Sequence, residues 1–387
     1  MDKIVTTTRR LSIATNSNTL EELIEYENFP VFIGCTDQSP DADIRASMKW
    51  MICKESGCIQ LQYLMPLDIV YSGYHSEAVG GVWEEHHNKF CKFLTKNIYG
   101  NVMEVGGSNG SLANKYCEDH KNVKWTIVEP NMGNKTVKLN ENINFVNAFF
   151  DKNLIFEKGR TVVCSHVFEH MYEPIKFLED IAEYLDEGGR LVFSVPNLAK
   201  YLENKFSNTI NFEHTFFFTE ELLEYFLSRN KFKVIEKQYF KDHSIFYSVE
   251  KNSKIEGLSL PNQYQTNRSR YLSMLKYYKG IVNALNKNFE KKEEFEFFLF
   301  GGSIFSQFVI YLGLNEEKII SIVDNSDEKN GKRLYGSQLY ISKPDIISEY
   351  KKPTVIVFAG QYQSEIEAQL TSINQGCRII NPKNYLK

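Results

Sequence analysis

Residues 101–110 read NVMEVGGSNG, an apolar run that ends in a glycine-rich turn led by Glu104. A second apolar run, VKWTIVEP, ends in Glu129 and Pro130. A strand, a glycine turn and an acid closing the next strand make a nucleoside-binding layout. The turn lets backbone approach the ligand, and the acid accepts hydrogen bonds from ribose hydroxyls. The glycines stand at 106, 107 and 110, with Ser108 between them, so the dinucleotide pattern G-x-G-x-x-G is absent. Glu-x-Gly-x-x-x-Gly suits a cofactor without a pyrophosphate, which points to S-adenosylmethionine and to methyl transfer. FVNAFF, residues 145–150, brings Asn147 to the end of a third short strand, in position for an adenine edge. The expected cofactor residues are therefore Glu104, Gly106, Ser108, Gly110, Glu129 and Asn147. The plainer alternative is a tight turn in an ordinary α/β domain.

Two further stretches carry groups that move protons. In CSHVFEHMYEP, residues 164–174, His166 and His170 stand four apart and would share one face of a helix. No Glu-x-x-His or cysteine cluster completes a metal set there, so no metal is expected. His170 is the candidate, because this loop would face the cofactor's methyl group. In NFEHTFFFT, residues 211–219, Glu213 stands beside His214 among aromatics. An imidazole in a dry pocket suits removal of a proton from a hydroxyl or a carbon acid, with Glu213 holding its tautomer or the substrate. The alternative for each is structural: a packed or capping histidine, or a strand-edge histidine with a surface glutamate.

The elements that must hold these groups follow from the apolar pattern. Between residues 99 and 254 strand-like runs (NVMEV, WTIVEP, TVVCSHVF, GGRLVFSVPN) alternate with helical stretches (SLANKYCEDH, EPIKFLEDIAEYL, TEELLEYFLSRN). Such alternation predicts a mostly parallel sheet covered by helices, with KFKVIEKQYF and SIFYSVEK as a closing hairpin. Residues 1–66 mix short apolar runs with turn residues and predict a small β-containing lobe, and 67–98 contain an amphipathic helix, VWEEHHNKFCKFL. A helix through SRYLSMLKYYKGIVNALNKNFEKK opens residues 255–387, a second α/β unit in which FGGS (300–303) and Asp324 repeat the strand, glycine turn, strand, acid layout.

A chain of 387 residues exceeds one ordinary core, which agrees with several domains. A net charge of −4 with signs intermixed argues against nucleic acid or an anionic membrane as the main partner. No apolar stretch reaches bilayer-spanning length, and the N-terminus lacks the apolar core of a secretory signal. Seven cysteines in no regular framework are most simply reduced thiols of a cytoplasmic protein, a monomer or homodimer.

The order of these motifs resembles the sugar C-methyltransferases that act on nucleotide-linked keto-deoxysugars, the group of the tetronitrose C-3′-methyltransferase. The matching stretches run through nearly the whole chain: CIQLQYLMPLDIVYSGYHS (58–76), EEHHNKF, EVGGSNGSL, VFEH, NFEH and DNSDEKNGKRLYG (324–336). The resemblance implies an N-terminal zinc-type lobe, a central class I S-adenosylmethionine domain and a C-terminal Rossmann-like domain. It implies active-site roles for Tyr74, His170, Glu213 and His214, with His214 as the base and Tyr and Glu side chains around the sugar. Two departures stand out. The family's two Cys-x-x-Cys zinc pairs are reduced here to Cys53 and Cys58, with TNSN (15–18) where the first pair belongs, so the lobe is expected to fold without zinc. Phe212 stands where the family has a Tyr before its Glu-His pair. The expectation is an S-adenosylmethionine-dependent methyltransferase of bacterial glycan biosynthesis acting on a nucleotide-linked or phosphorylated sugar. The alternatives are a sugar O-methyltransferase on the same fold, or an idle binding protein that keeps the cofactor fold.

Overall fold

Apolar runs such as VMEV and LVFSVP are buried along almost their whole length, because helices cover both faces of the sheet they form. The structure, a computed structural model, describes residues 4–70, 81–130, 138–151, 160–291 and 295–382. It divides into two compact units. One comprises Met1–Leu23, Trp50–Lys200 and Glu213–Asn267, and the other Ile24–Lys49, Tyr201–Phe212 and Arg268–Lys387.

The first unit is built on seven strands: β1 (Val102–Val105), β2 (Trp125–Val128), β3 (Ile143–Val146), β4 (Thr161–Ser165), β5 (Arg190–Pro196), β6 (Phe232–Phe240) and β7 (Ser244–Lys251). Their order in the sheet is β6-β7-β5-β4-β1-β2-β3. Strands β1 to β5 pair in parallel, while β7 runs antiparallel to β5 and forms the expected hairpin with β6. Strand order therefore reverses between β1 and β4, which are direct neighbours (Val102 opposite Thr161, Glu104 opposite Val163). Loops that leave the carboxyl ends of two strands diverge at such a switch point and open a crevice between them. The loops in question are the glycine turn at 106–110 and the segment 166–170.

Helices α1 (Gly81–Asn97), α2 (Ser111–Asp119), α3 (Pro174–Tyr184) and α4 (Glu220–Arg229) accompany this sheet. Thr219 caps α4 as its sequence suggests, accepting from the Leu222 N–H at 3.4 Å. On α1 the buried set includes His86, whose side chain is fully enclosed by Phe90, Phe240, Phe246 and Trp83. Neither ring nitrogen of His86 has a hydrogen-bond partner. Burial pushes its protonation far below the usual imidazole range, with His166, His87 and His243 adding to the effect. The folded chain therefore holds His86 neutral, whereas the unfolded chain takes up a proton below about pH 6.5. Its contribution is complete above that pH and falls by about 1.4 kcal/mol per pH unit below it. In urea denaturation, His86→Phe should lose about 2 kcal/mol less than the parent protein between pH 7.5 and pH 5. Equal losses in the two proteins would show that His86 does not set the acid limb.

The N-terminal residues form strands as their pattern predicts. Strands Leu20–Pro30, Arg45–Cys53, Ile59–Leu61 and Phe216–Phe217 make one sheet. Within the first unit, Phe216 pairs with Gln60 and Phe217 with Ile59, so the segment following His214 is a strand of this lobe's sheet. Around Cys53 there is a chain of hydroxyls. Thr19 Oγ1 lies 3.3 Å and Thr15 Oγ1 3.9 Å from its sulfur, Thr15 meets Ser17 at 2.7 Å, and Ser17 meets Thr19 at 2.9 Å. Hydrogen bonds from Ser12, Ser56 and Thr19 outweigh burial and hold the Cys53 thiol below its ordinary range. Cys58 is buried separately, its sulfur 3.7 Å from the Phe217 carbonyl.

The second unit contains β8 (Glu296–Phe300), β9 (Ile319–Val323), β10 (Ile341–Ser342), β11 (Pro353–Ile356) and β12 (Arg378–Ile380), all parallel in the order β10-β9-β8-β11-β12. The helix α5 (Tyr264–Lys291) supplies Tyr271, Met274, Tyr278, Ile281, Leu285 and Phe289 to the core at helical spacing. Residues 24–49 group with this unit, although the sequence reads 1–66 as one lobe. Tyr26 and Phe29 pack edge-on against Tyr311 of α6 (Ile304–Tyr311), and Arg333 forms a buried bidentate pair with Asp43 at 2.6 and 2.8 Å. Asp324 ends β9 as anticipated, but its carboxylate accepts from the N–H groups of Gly302 (2.8 Å) and Ser326 (2.9 Å) and from Lys329 (3.1 Å). Much of DNSDEKNGKRLYG thus holds its own loops together. Among the described residues no helix is long and apolar enough to cross a membrane.

Candidate active site

The glycine turn after β1 is a close-fitting backbone cradle. Gly106 has φ +74°, and a Cβ there would come within 2.5 Å of Val167 Cγ2. At Gly107 a Cβ would meet Ile127 Cγ2 at 2.7 Å and the Glu104 carboxyl carbon at 2.9 Å. Only glycine leaves the backbone room at these two positions. Ser108, itself at φ +47°, donates its N–H to Glu129 Oε2 at 3.1 Å. Glu129 thus stands half-buried at the end of β2, across the mouth of the turn. Gly110 opens α2 at its positive end, and Asn147 is exposed immediately after β3. Glu104 is 2 % exposed and accepts the Trp125 indole N–H at 2.8 Å. Burial raises its carboxyl to about 7. Its place is beneath the turn, as a support.

A cradle with bare backbone at Gly106 and Gly107, closed by an acid at the neighbouring strand tip, fits a nucleoside cofactor of the S-adenosylmethionine type. Glu129 and the 106–110 backbone would hold it, with Asn147 at the adenine edge. The Val167 contact sets the segment after β4 directly against this cradle.

That segment does not form the helix on which His166 and His170 would share a face. β4 ends at Ser165, His166 takes φ +54°, and only a single 3₁₀ turn, Phe168–His170, follows. The reversal at His166 sends the two imidazoles apart. His166 Nδ1 meets Glu169 Oε1 at 3.1 Å, while His170 packs edge-on against His214 with ring centroids 4.8 Å apart. Glu169, His170 and His214 offer ligand-type atoms that all lie within 4.8 Å of one another. Glu169 is fully buried, and burial raises its carboxyl to about 7. Burial holds His214 well below the ordinary imidazole range, with His170 and His166 adding to it. At neutral pH His214 is therefore an unprotonated imidazole able to accept a proton, next to a carboxyl group poised to share it.

Residues far apart in sequence hold this pair together. The Thr215 N–H donates to the Glu169 carbonyl at 3.0 Å, and Thr215 Oγ1 donates to the Met171 carbonyl at 2.6 Å. Arg9, 8 % exposed, donates to the Thr215 carbonyl at 2.8 Å and to the Met171 carbonyl at 3.1 Å. Burial pulls its guanidinium down to about 10 and leaves it charged. Nothing in TTTRRL marks Arg9 as a clamp, because its partners are brought to it by the fold alone. Glu169 was legible in VFEH as an acid inside an apolar run, yet only His170 is singled out by sequence. Arg9→Met should destabilise the protein by about 3 kcal/mol, since hydrogen bonds to a charged group contribute about 1.5–3 kcal/mol each. Chemical denaturation measures this, and a loss under about 0.5 kcal/mol, the range of ordinary surface changes, would refute the clamp.

Glu213 is half-buried next to His214 in the chain. Phe212 is 1 % exposed and packs at a tilt against Phe29 within the second unit, with ring centroids 6.4 Å apart. Tyr74 lies outside the described residues.

The model of a methyltransferase domain matches residues 82–237, and that of a C-methyltransferase C-terminal domain matches residues 279–382. No curated protein matches the chain. Similar solved structures include the N-methyltransferase NodS from Bradyrhizobium japonicum, at 14% identity over 44% of this chain and 97% of that one, TM-score 0.33. Human N-acetylserotonin methyltransferase in complex with SAM is 16% identical over 44% of this chain and 53% of that one, TM-score 0.37. Magnesium protoporphyrin IX methyltransferase from Synechocystis with bound SAH is 14% identical over 44% and 84%, TM-score 0.34. The two family models lie on one chain, and the first spans the switch point with its glycine cradle and Glu129. The protein is an S-adenosylmethionine-dependent methyltransferase that carries a C-methyltransferase C-terminal domain.

Proposed function

We propose that this protein methylates a carbon atom of a nucleotide-linked or phosphorylated keto sugar in bacterial glycan biosynthesis, with His214 as the base. The observation that carries the reading is the His170–His214 pair, edge-on at 4.8 Å, in which His170 stands on the segment packed against the glycine cradle. When bound, the cofactor supplies an already activated methyl group. The protein's own work is to align the acceptor and remove one proton from it. His214, kept neutral by burial, takes the proton from the carbon beside the keto group. His170 orients or polarises the keto oxygen, and Glu213 and Tyr74 bind the sugar. The match of the C-terminal residues to a C-methyltransferase domain supports carbon over oxygen as the acceptor.

Deuterium exchange tests this directly. With S-adenosylhomocysteine bound, a nucleotide-linked keto-deoxysugar incubated in D₂O should exchange the proton on the carbon next to its keto group, as read by mass spectrometry. Exchange should disappear in His214→Asn. Methylated product formed without any exchange would favour O-methylation on the same fold.

A further inference from the structure

The base assignment leaves a question about where its proton goes, because Glu169, the acid beside the half-buried His214, is fully buried. Glu169 has one oxygen, Oε1, on His166 Nδ1 at 3.1 Å, while Oε2 has no hydrogen-bond partner. His166 continues outward: its Nε2 lies 2.9 Å from Ser244 Oγ, and Ser244 Oγ lies 2.5 Å from His243 Nδ1. Ser244 is fully buried at the start of β7, and His243 is half-buried at the hairpin turn before it. Trp83 walls the path, with ring centroids 4.9 Å from His166 and 4.8 Å from His243. His86, which has no hydrogen-bonding partner of its own, closes another side at 5.2 Å from His166. The strained φ of +54° at His166, pinned by its N–H to the Ser194 carbonyl at 2.9 Å, is what turns the imidazole into this line.

We propose that Glu169, His166, Ser244 and His243 form a proton relay that drains the His170–His214 pair to the protein surface. The proposal rests on His214 acting as the base. The separation of 4.8 Å or less between the His214, His170 and Glu169 atoms is at most about one water molecule long. A proton released from the His214 imidazolium forms an O–H bond at Glu169 Oε2 as the acid's hydrogen on Oε1 passes to His166 Nδ1. The hydrogen on His166 Nε2 passes to Ser244 Oγ, the hydroxyl hydrogen passes to His243 Nδ1, and one proton leaves His243 Nε2 for solvent. Each group gains one hydrogen and loses one, and the charge that entered has left.

A divalent cation held by Glu169, His170 and His214 is the competing reading of the same cluster. The continuous line through His166 favours the relay, since a metal site gives no reason for Ser244 and His243 to extend it.

The test uses the full chain labelled with [¹⁵N]histidine and saturated with S-adenosylhomocysteine, and needs no acceptor. The readout is the exchange rate of the His166 ring proton with water, although that side chain is only 15 % exposed. Exchange should be rapid in the parent protein, at least about tenfold slower in Ser244→Ala, and restored in Ser244→Thr, which keeps the hydroxyl. Unchanged S-adenosylhomocysteine affinity verifies that each variant is folded. Equal exchange in the parent protein and Ser244→Ala overturns the relay. So does stoichiometric Mn²⁺ that broadens His170 and His214 in the parent protein but not in Glu169→Gln, because the cluster is then a cation site. Failure of the base assignment looks different: His214→Asn would keep its methyltransferase activity while the exchange results stand.

Discussion

Replacing His214 by Asn should lower turnover by about a hundredfold or more, the usual scale for loss of a positioned base, while S-adenosylmethionine still binds. Asn preserves polarity and approximate size, so the loss reports the missing proton acceptor rather than a collapsed pocket. His170→Asn should cost less, because an amide can still donate to a keto oxygen. Initial rates at saturating cofactor, with cofactor affinity measured separately, decide the matter. An active His214→Asn beside an inactive His170→Asn would exchange the two roles. The pH profile adds a sign. Burial holds His214 well below the ordinary imidazole range, so its base form persists as pH falls through the range where exposed histidines protonate. The acid limb of kcat/KM should accordingly lie below about pH 6.5.

Glu129→Ala should weaken binding of S-adenosylmethionine by about 1.5–3 kcal/mol, the scale of hydrogen bonds to a charged group, or about 10- to 150-fold in Kd. Two losses combine in this variant. The ribose hydroxyls lose their acceptor, and the Ser108 N–H loses the carboxylate that holds the turn at 3.1 Å. Calorimetry of both proteins measures the difference. Equal affinity would show that the cofactor's ribose is held elsewhere, and no binding to the parent protein would remove the cofactor reading altogether.

The strand pattern and the cofactor turn are legible in the sequence. The strands around EVGGSNG and WTIVEP carry their own evidence, since both faces of a parallel sheet are covered and the apolar runs are continuous. The glycines at 106 and 107 and the acid at 129 are likewise local signals, because backbone room and a strand-tip carboxylate depend on residue type at one place. His170 and His214 were legible as candidates, but 44 positions separate them in the chain. The face shared by His166 and His170 failed for a physical reason. A positive φ at His166 turns the chain out of β4, and the hydrogen bond from its N–H to the Ser194 carbonyl fixes that turn.

The sequence by itself determined the parts whose chemistry is local: the cofactor cradle, the alternation of strands and helices, the cap at Thr219 and the two histidine motifs. Tertiary structure decided which of those parts meet. Arg9 reaches the carbonyls of Met171 and Thr215 across 162 and 206 positions, and Glu169 meets His166 on one side and the His170–His214 pair on the other. It also moved Tyr26 and Phe29 into the second unit, where Tyr311 buries them. Contacts of this kind are set by which buried polar groups find partners and which aromatic faces leave water. Those are properties of the assembled core, and neither periodicity nor spacing along the chain encodes them.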